Sequence, residues 1–180
     1  MARWLFDPDH TVAHFTTRHM MITIVHGQFN RFSGEIRFDP ADVQATAIQV
    51  EIDAASVWTG VEARDRHLRS ADFFDVEKFP VIRFKSTGVE VVSSNFMKVH
   101  GELTVRDVTR PILLHAAWFG PLQYQDETGS YTTMGFSATA AVNREDFGMM
   151  WNNDFGRERF MVGKHIELAL DAEADLSPDT

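Results

Sequence analysis

Polar and apolar residues alternate with period two along most of this chain. In residues 46–57, Ile48, Val50 and Ile52 take one side and Gln49, Glu51 and Asp53 the other. After Val81, Ile82 and Phe84 oppose Arg83 and Lys85, and after Phe96, Val99, Leu103 and Val105 oppose Lys98, His100, Glu102 and Thr104. Toward the end, Ile166, Leu168 and Leu170 oppose His165, Glu167 and Asp171. Such alternation marks half-buried β-strands. Weaker versions over 11–19, 27–38, 110–119 and 131–143 bring the expected strands to eight. A clean split between the two faces is the antiparallel pattern. Short turn signals at Ser93-Ser94-Asn95 and Arg106-Asp107-Val108-Thr109 favour hairpins over crossovers.

Only residues 60–74 resist this reading. Glu62/Arg66 and Asp65/Arg69 are spaced i,i+4 with the acid first, the favourable order on a helix, and Pro80 closes the region. One helix cannot cover the apolar face of eight strands, so the all-β sheet must close on itself or fold into a sandwich. An eight-stranded barrel has an interior that side chains fill or that holds one small ligand. Small residues at the inward positions Gly101, Ala138 and Ala140 point to a hollow. The other positions expected to face inward are Phe15, Ile48, Val50, Ile52, Ile82, Phe84, Leu103, Met134, Phe136, Ile166 and Leu168, with Gln49, Glu51, Arg83 and Lys85 outside.

A length of 180 residues without repeats or a linker suits a single domain over 1–180, with a core of about 4–174 and fraying from Leu176. Fifteen phenylalanines stand against four tryptophans and two tyrosines. Phenylalanine has no polar handle, so these rings go to a core, an interface or an apolar cavity. The chain has no cysteine, which excludes disulfides, thiolate metal sites and cysteine nucleophiles. A net charge of −9 opposes nucleic acid and anionic membrane surfaces, although it leaves room for a local basic patch. No stretch has the roughly 18–20 apolar residues of a transmembrane segment. The N-terminus lacks the apolar run of a signal peptide, so the expected location is cytoplasmic, or periplasmic if a leader has been removed.

Catalytic and metal patterns mostly fail. His10 and His14 have helical metal-pair spacing, but on a strand they lie about 13 Å apart. Gly135-Phe-Ser-Ala-Thr139 lacks the final glycine of a nucleophile elbow and lies in a strand rather than at a strand-to-helix turn. No two glycines stand one residue apart, which removes GxGxxG. No local spacing brings two carboxylates together as a glycosidase would require. His19 shares the inward parity of Phe15 at the end of its strand, as a core histidine or a polar contact at a pocket mouth. Arg64, Arg66, His67 and Arg69 form either a solvated helix face or an anion seat; Arg grips phosphate oxygens bidentately.

Several stretches match a known family in order and spacing. They are Trp4-Leu-Phe-Asp-Pro-Asp-His10, Phe15 to His19, Gly27-Gln-Phe29 and Phe32-Ser-Gly34, followed by Arg64-Asp-Arg-His-Leu-Arg-Ser70, Phe73-Phe74-Asp-Val76 and Phe79-Pro-Val-Ile-Arg-Phe84. Gly101-Glu-Leu-Thr104, Val108-Thr-Arg-Pro111 and Asn143-Arg-Glu-Asp-Phe-Gly148 complete the set. With these the chain resembles the YceI-like family of polyisoprenoid-binding, lipocalin-like proteins from Trp4 to about Ala174. It departs at Asp107, where the family often has Gly; Asp tolerates a left-handed turn.

The resemblance implies an extended eight-stranded antiparallel lipocalin-like barrel with one short helical segment near one end. It also implies a non-catalytic carrier of a long-chain isoprenoid or related lipid, with no covalent cofactor and no metal. Polyprenyl phosphates, isoprenoid quinones and fatty amides are the ligands it suggests, and a homodimer is the assembly it favours. Phe29, Phe32, Leu68, Phe73 and Phe74, which lie in the matching stretches, join the inward set as expected ligand contacts. A polar head group left unpaired in an apolar lumen costs several kcal/mol. It therefore belongs at a rim, where His19, Arg64, His67, Arg69 and Arg144 are the expected donors. Two rivals stand beside this reading: an enzyme using His19 or His67 on a lipid in the same cavity, and a ligand-free scaffold filled by its own phenylalanines.

Overall fold

An apolar stripe on every strand forces the sheet to curl until its first and last members meet. That closure is present in the computed structural model of the chain, which describes residues 1–125, 129–154, 156 and 160–177. The strands are β1 (Arg3–Phe6), β2 (Val12–His19), β3 (Thr23–Phe29), β4 (Phe32–Arg37), β5 (Ala47–Asp53), β6 (Val57–Trp58), β7 (Val81–Ser93), β8 (Phe96–Val105), β9 (Val108–Gln125), β10 (Ser130–Asn143) and β11 (Val162–Leu176). One helix, α1 (Glu62–Arg69), lies between β6 and β7. All pairings are antiparallel, and β1-β4-β5-β7-β8-β9-β10-β11 returns to β1 as a closed circuit of eight strands.

The three remaining strands prolong lines already in that circuit. Phe6 pairs with Ala174 and Val12 with Asp171, so β1 and β2 share one edge of β11 with a break at 7–11 between them. In the same way β3 prolongs the line of β4, and β6 that of β5. The expected strand over 27–38 is therefore broken at Asn30 and Arg31, whose N–H groups donate to the Ser56 carbonyl and hydroxyl at 3.3 and 3.1 Å. The expected strand over 46–57 is broken by a 3₁₀ turn, Ala54–Ser56, where the Asp53 carboxylate accepts the Ala55 N–H at 2.8 Å. Adjacent lines thus break together, and each break satisfies its neighbour's backbone. β1 was not anticipated, and the fraying expected from Leu176 is corrected: Leu176 pairs with Trp4, and the Ser177 N–H donates to the Arg3 carbonyl at 2.8 Å. Residues 178–180 lie outside the described residues.

The expected faces hold. Gln49, Glu51, Arg83 and Lys85 are exposed, and Glu51 pairs with the facing Arg83 at 2.9 Å. The inward set expected from the alternation lies in the barrel's apolar interior. Gly101, however, is small for a different reason than a hollow. A Cβ there would lie 2.4 Å from the Phe84 ring and 2.8 Å from the Lys85 carbonyl oxygen, so the ring occupies the space.

The interior falls into two halves. One is solid: Phe38 meets Trp118 and Phe136, both with ring centroids 5.4 Å away, and the Trp4 indole N–H donates to the Phe38 carbonyl at 3.0 Å. The other surrounds Phe15, Phe29, Phe73, Ile82, Leu103 and Phe147. The helix is shorter than the expected 60–74 because the Ser70 hydroxyl donates back to the His67 carbonyl at 2.7 Å and the chain leaves in turns. Neither expected i,i+4 pair among its residues forms. Asp65 accepts from the Thr59 N–H at 2.8 Å, and Arg69 turns to the carbonyls of Ala55 and Val57.

Replacing Gly101 by Ala should push Phe84 off its seat and lower stability by about 1–3 kcal/mol. Gly88→Ala, where nothing lies within 4 Å of the new Cβ, should be neutral or slightly stabilising. Urea midpoints of the two variants, measured side by side, check this.

Candidate functional site

The second half of the barrel is hollow. A cavity of about 200 Å³ runs from Val50, Leu114, Ala138 and Leu170 near mid-barrel to the end carrying α1. The walls come from alternate residues of the strands: Phe15, Phe29, Ile52, Ile82, Phe84, Leu103, Ile166 and Leu168 all line it, as does Ala140. Leu68 on α1, Phe73 and Phe74 after it, and Phe147 and Met149 after β10 line it too. The α1 segment thus acts as a lid over the gap left where β6 stops after two residues.

Four apolar residues in the expected contact set do not reach this cavity. Ile48, Met134 and Phe136 belong to the solid half, and Phe32 packs edge-on against Phe6 with centroids 6.1 Å apart. Their sequence parity is right, but parity fixes a face and not a height along the barrel. A tunnel through the full barrel is excluded by the Phe38–Trp118–Phe136 packing.

The polar residues expected at the rim are largely committed to the protein itself. Arg64 donates to the Thr59 hydroxyl at 2.7 Å and the Thr59 carbonyl at 2.9 Å. Arg69 donates to the Ala55 and Val57 carbonyls, both at 2.9 Å. His67 contacts Asp72 at 2.9 Å and stands edge-on between Phe73 and Trp151 at 5.0 and 4.5 Å. The two arginines latch the lid to the β5–β6 line, and His67 sets it against Trp151. His19 sits at the end of β2, paired with Val162 and Thr23, and does not line the cavity.

Arg144 alone of the five lines the cavity, and it is 2% exposed. Its guanidinium donates to the carbonyls of Gly163 (3.0 Å), Val162 (3.3 Å) and Met149, and lies 5.9 Å from the Phe73 ring centre. Burial pushes its pKa below the ordinary arginine value. It is a strut holding the 144–163 connection against the lid, and its donors point into backbone rather than lumen. The remaining polar lining residues are His14, Thr17 and Thr139.

His10 and His14 do not form a metal pair. His10 lies in the break between β1 and β2, with its Nδ1 at 2.6 Å from Asp7. That hydrogen bond raises the His10 pKa and lowers that of Asp7. With Glu173 these two place ligand atoms within 4.8 Å of one another, the one such group among the described residues. It lies at the strand break, among residues that do not line the cavity.

Known proteins are similar to this chain in sequence and in fold. The family model described as YceI-like domain matches residues 4–174. A UPF0312 protein of Pseudomonas savastanoi is 36% identical over 143 residues, covering 79% of this chain and 73% of its own. One from Vibrio cholerae is 35% identical over 140 residues, covering 78% of this chain and 72% of its own. The solved Campylobacter jejuni YceI protein is 30% identical with a TM-score of 0.72, covering 88% of each chain. A Saccharophagus degradans domain described as polyisoprenoid-binding, 14% identical, shares the fold with a TM-score of 0.67 over 98% of this chain and 99% of its own.

Arg144→Met keeps the length of the side chain and removes every donor. It should cost about 2–3 kcal/mol, because the Met149 carbonyl loses its partner in a buried setting. Arg144→Lys should recover only part of that, since an ammonium cannot span three carbonyls as the fork does. Urea denaturation of both variants reads the difference.

Proposed function

This chain belongs to the YceI-like domain family, and on that premise we propose that its half-lumen holds the apolar chain of an isoprenoid or related amphiphilic lipid in a carrier role without catalysis. The observation that carries the proposal is the wall itself, a space lined almost wholly by aliphatic and aromatic side chains. Such a space stays dry when empty; a cavity of roughly 150 Å³ lined by Leu, Ile and Phe takes up a benzene-sized molecule. Each methylene moved from water into it contributes about 0.8 kcal/mol, so a short stretch of chain suffices for useful affinity.

Size sets the mode of binding. At about 200 Å³ the cavity accommodates a terminal segment of one or two prenyl units. A longer chain is held by its end, with Leu68, Phe73 and Phe74 moving outward on the lid. The head group then stays at the mouth, in water. Because Arg64, Arg69 and Arg144 are bonded to backbone carbonyls, recognition rests on the chain rather than on an anionic head. Polyprenyl phosphates, isoprenoid quinones and fatty amides all present such a chain. The Saccharophagus degradans neighbour, whose description names polyisoprenoid binding, supports the isoprenoid among them. An enzymatic role for His19 or His67 draws no support from the geometry, since neither lines the cavity.

Ala140→Phe places a ring in the lumen, where the native methyl leaves space. Its affinity for farnesol should fall at least about tenfold, with stability changed by under about 1.5 kcal/mol. Wild-type protein purified from its natural host, extracted with organic solvent and analysed by mass spectrometry, should release a prenyl or alkyl lipid that the variant lacks. Equal lipid content in both proteins, or none in the wild type, would remove the lumen from the function.

A further inference from the structure

The hairpin joining β2 to β3 turns through Met20 and Met21, with φ of 51° and 61°, and the Ile22 N–H donates to the His19 carbonyl at 3.0 Å. The ladder closes at His19 and Thr23, so Met20, Met21 and Ile22 form the loop, and its first two residues are left-handed, a conformation that Gly and Asn take far more readily. A methionine there sets its Cβ against the following carbonyl, so the pair is a poor choice for folding. The two-residue β8–β9 turn also holds two residues at positive φ, Arg106 and Asp107 at 53° and 58°, and uses polar ones there. At the β2–β3 tip the side chains are apolar and in water. Ile22 is 79% exposed and Ile24 49%, with Met20 and Met21 both partly exposed beside them. Backbone cost combined with apolar exposure points to a role outside folding.

The tip stands at the mouth of the lumen. The Met20 N–H donates to the Met161 carbonyl at 2.9 Å, next to the cavity-lining Val162. The adjoining segment, bonded to Met161 and Val162 through Asn153 and Asn152, carries the exposed Met150. Charge sets this hairpin apart as well. From Val12 to Gly34 the chain has no Asp or Glu, although the protein has 26 of them. That stretch holds Arg18, Arg31 and three histidines. Arg31 pairs with Asp53, whereas Arg18 is exposed and has no ion pair among the described residues. On the adjacent β11, Lys164 and His165 are exposed near this end, Lys164 paired with Glu145, and the first exposed acid is Glu167, opposite Thr16.

We propose that the β2–β3 tip is a membrane-docking element that seats the lumen mouth on an anionic lipid surface, Met20, Met21 and Ile22 entering the interfacial layer and Arg18 meeting the head groups. Interfacial binding of this kind grows with buried apolar area and with attraction to anionic lipid. The protein as a whole carries −9 and is repelled by the same surface away from the tip, which orients the molecule mouth-down. The proposal deepens the carrier reading by giving the lipid a dry route between bilayer and lumen, and its geometry is independent of that reading.

Met20→Asn combined with Met21→Gly puts residues that tolerate positive φ at both left-handed positions and removes most of the apolar tip, so this variant should melt at or above the wild-type temperature. Flotation is measured with phosphatidylcholine vesicles with and without phosphatidylglycerol. Wild-type protein should float with the anionic vesicles, and the turn variant should partition at least about tenfold less. Arg18→Glu should lose a similar factor on anionic vesicles and little on neutral ones. Uptake of free farnesol from solution should be unchanged in all three proteins, because none of these residues lines the cavity. Docking without farnesol uptake would sink the carrier reading and leave the tip intact. Wild-type protein that does not float, or a turn variant that floats equally well, overturns the docking element. So does a turn variant that only dissociates a wild-type dimer, an outcome that assigns the tip to a second copy of the chain.

Discussion

Closure of the sheet at Trp4 is the contact on which the rest depends. β1 is four residues long, yet it pairs with β4 on one side and β11 on the other, joining the two ends of the circuit. Trp4 sits opposite both Ile36 and Leu176, and its buried indole bonds to the Phe38 carbonyl. Backbone closure and the aromatic plug are therefore set by one residue. Without that join the sheet would have two free edges and an apolar face open to water.

Given closure, the division of the interior follows from side-chain volume. Phe38, Trp118 and Phe136 fill the half beneath Trp4 in tilted and edge-to-face contacts, which aromatic quadrupoles favour. In the other half Ala138 and Ala140 on β10 face the cavity with methyl groups, and the wall is completed by a helix rather than a strand. The arginines that latch this helix, together with the Arg144 strut, hold the enclosure shut by hydrogen bonds to backbone carbonyls at its rim. The solid half is filled by its own side chains, and the hollow half is the part with room for a guest.

Strand identity and facing were legible where alternation was clean, as in β5, β7, β8 and β11, because period two converts directly into inside and outside. The breaks at 30–31 and 54–56 were not legible, since each exists to satisfy the other across adjacent strands. β1 was too short to show a period. Phe136 and Phe84 obey the same rule in the sequence yet lie in different halves, because height along a barrel depends on stagger between strands. Residue type and the family-matching stretches mark the arginines as head-group donors; a sequence does not reveal which carbonyls a guanidinium will find. Gly101 was read as space and proved to be a seat for Phe84.

A lipid chain should enter the lid-side half and no other part of the molecule. Methyl-labelled protein titrated with farnesol tests this directly through intermolecular nuclear Overhauser effects. The account predicts contacts from the prenyl methyls to Ile52, Ile82, Leu103, Ile166 and Leu168, and none to Ile36 or Ile48 in the solid half. Contacts confined to Leu113 on the outer face, or equal contacts in both halves, would contradict it.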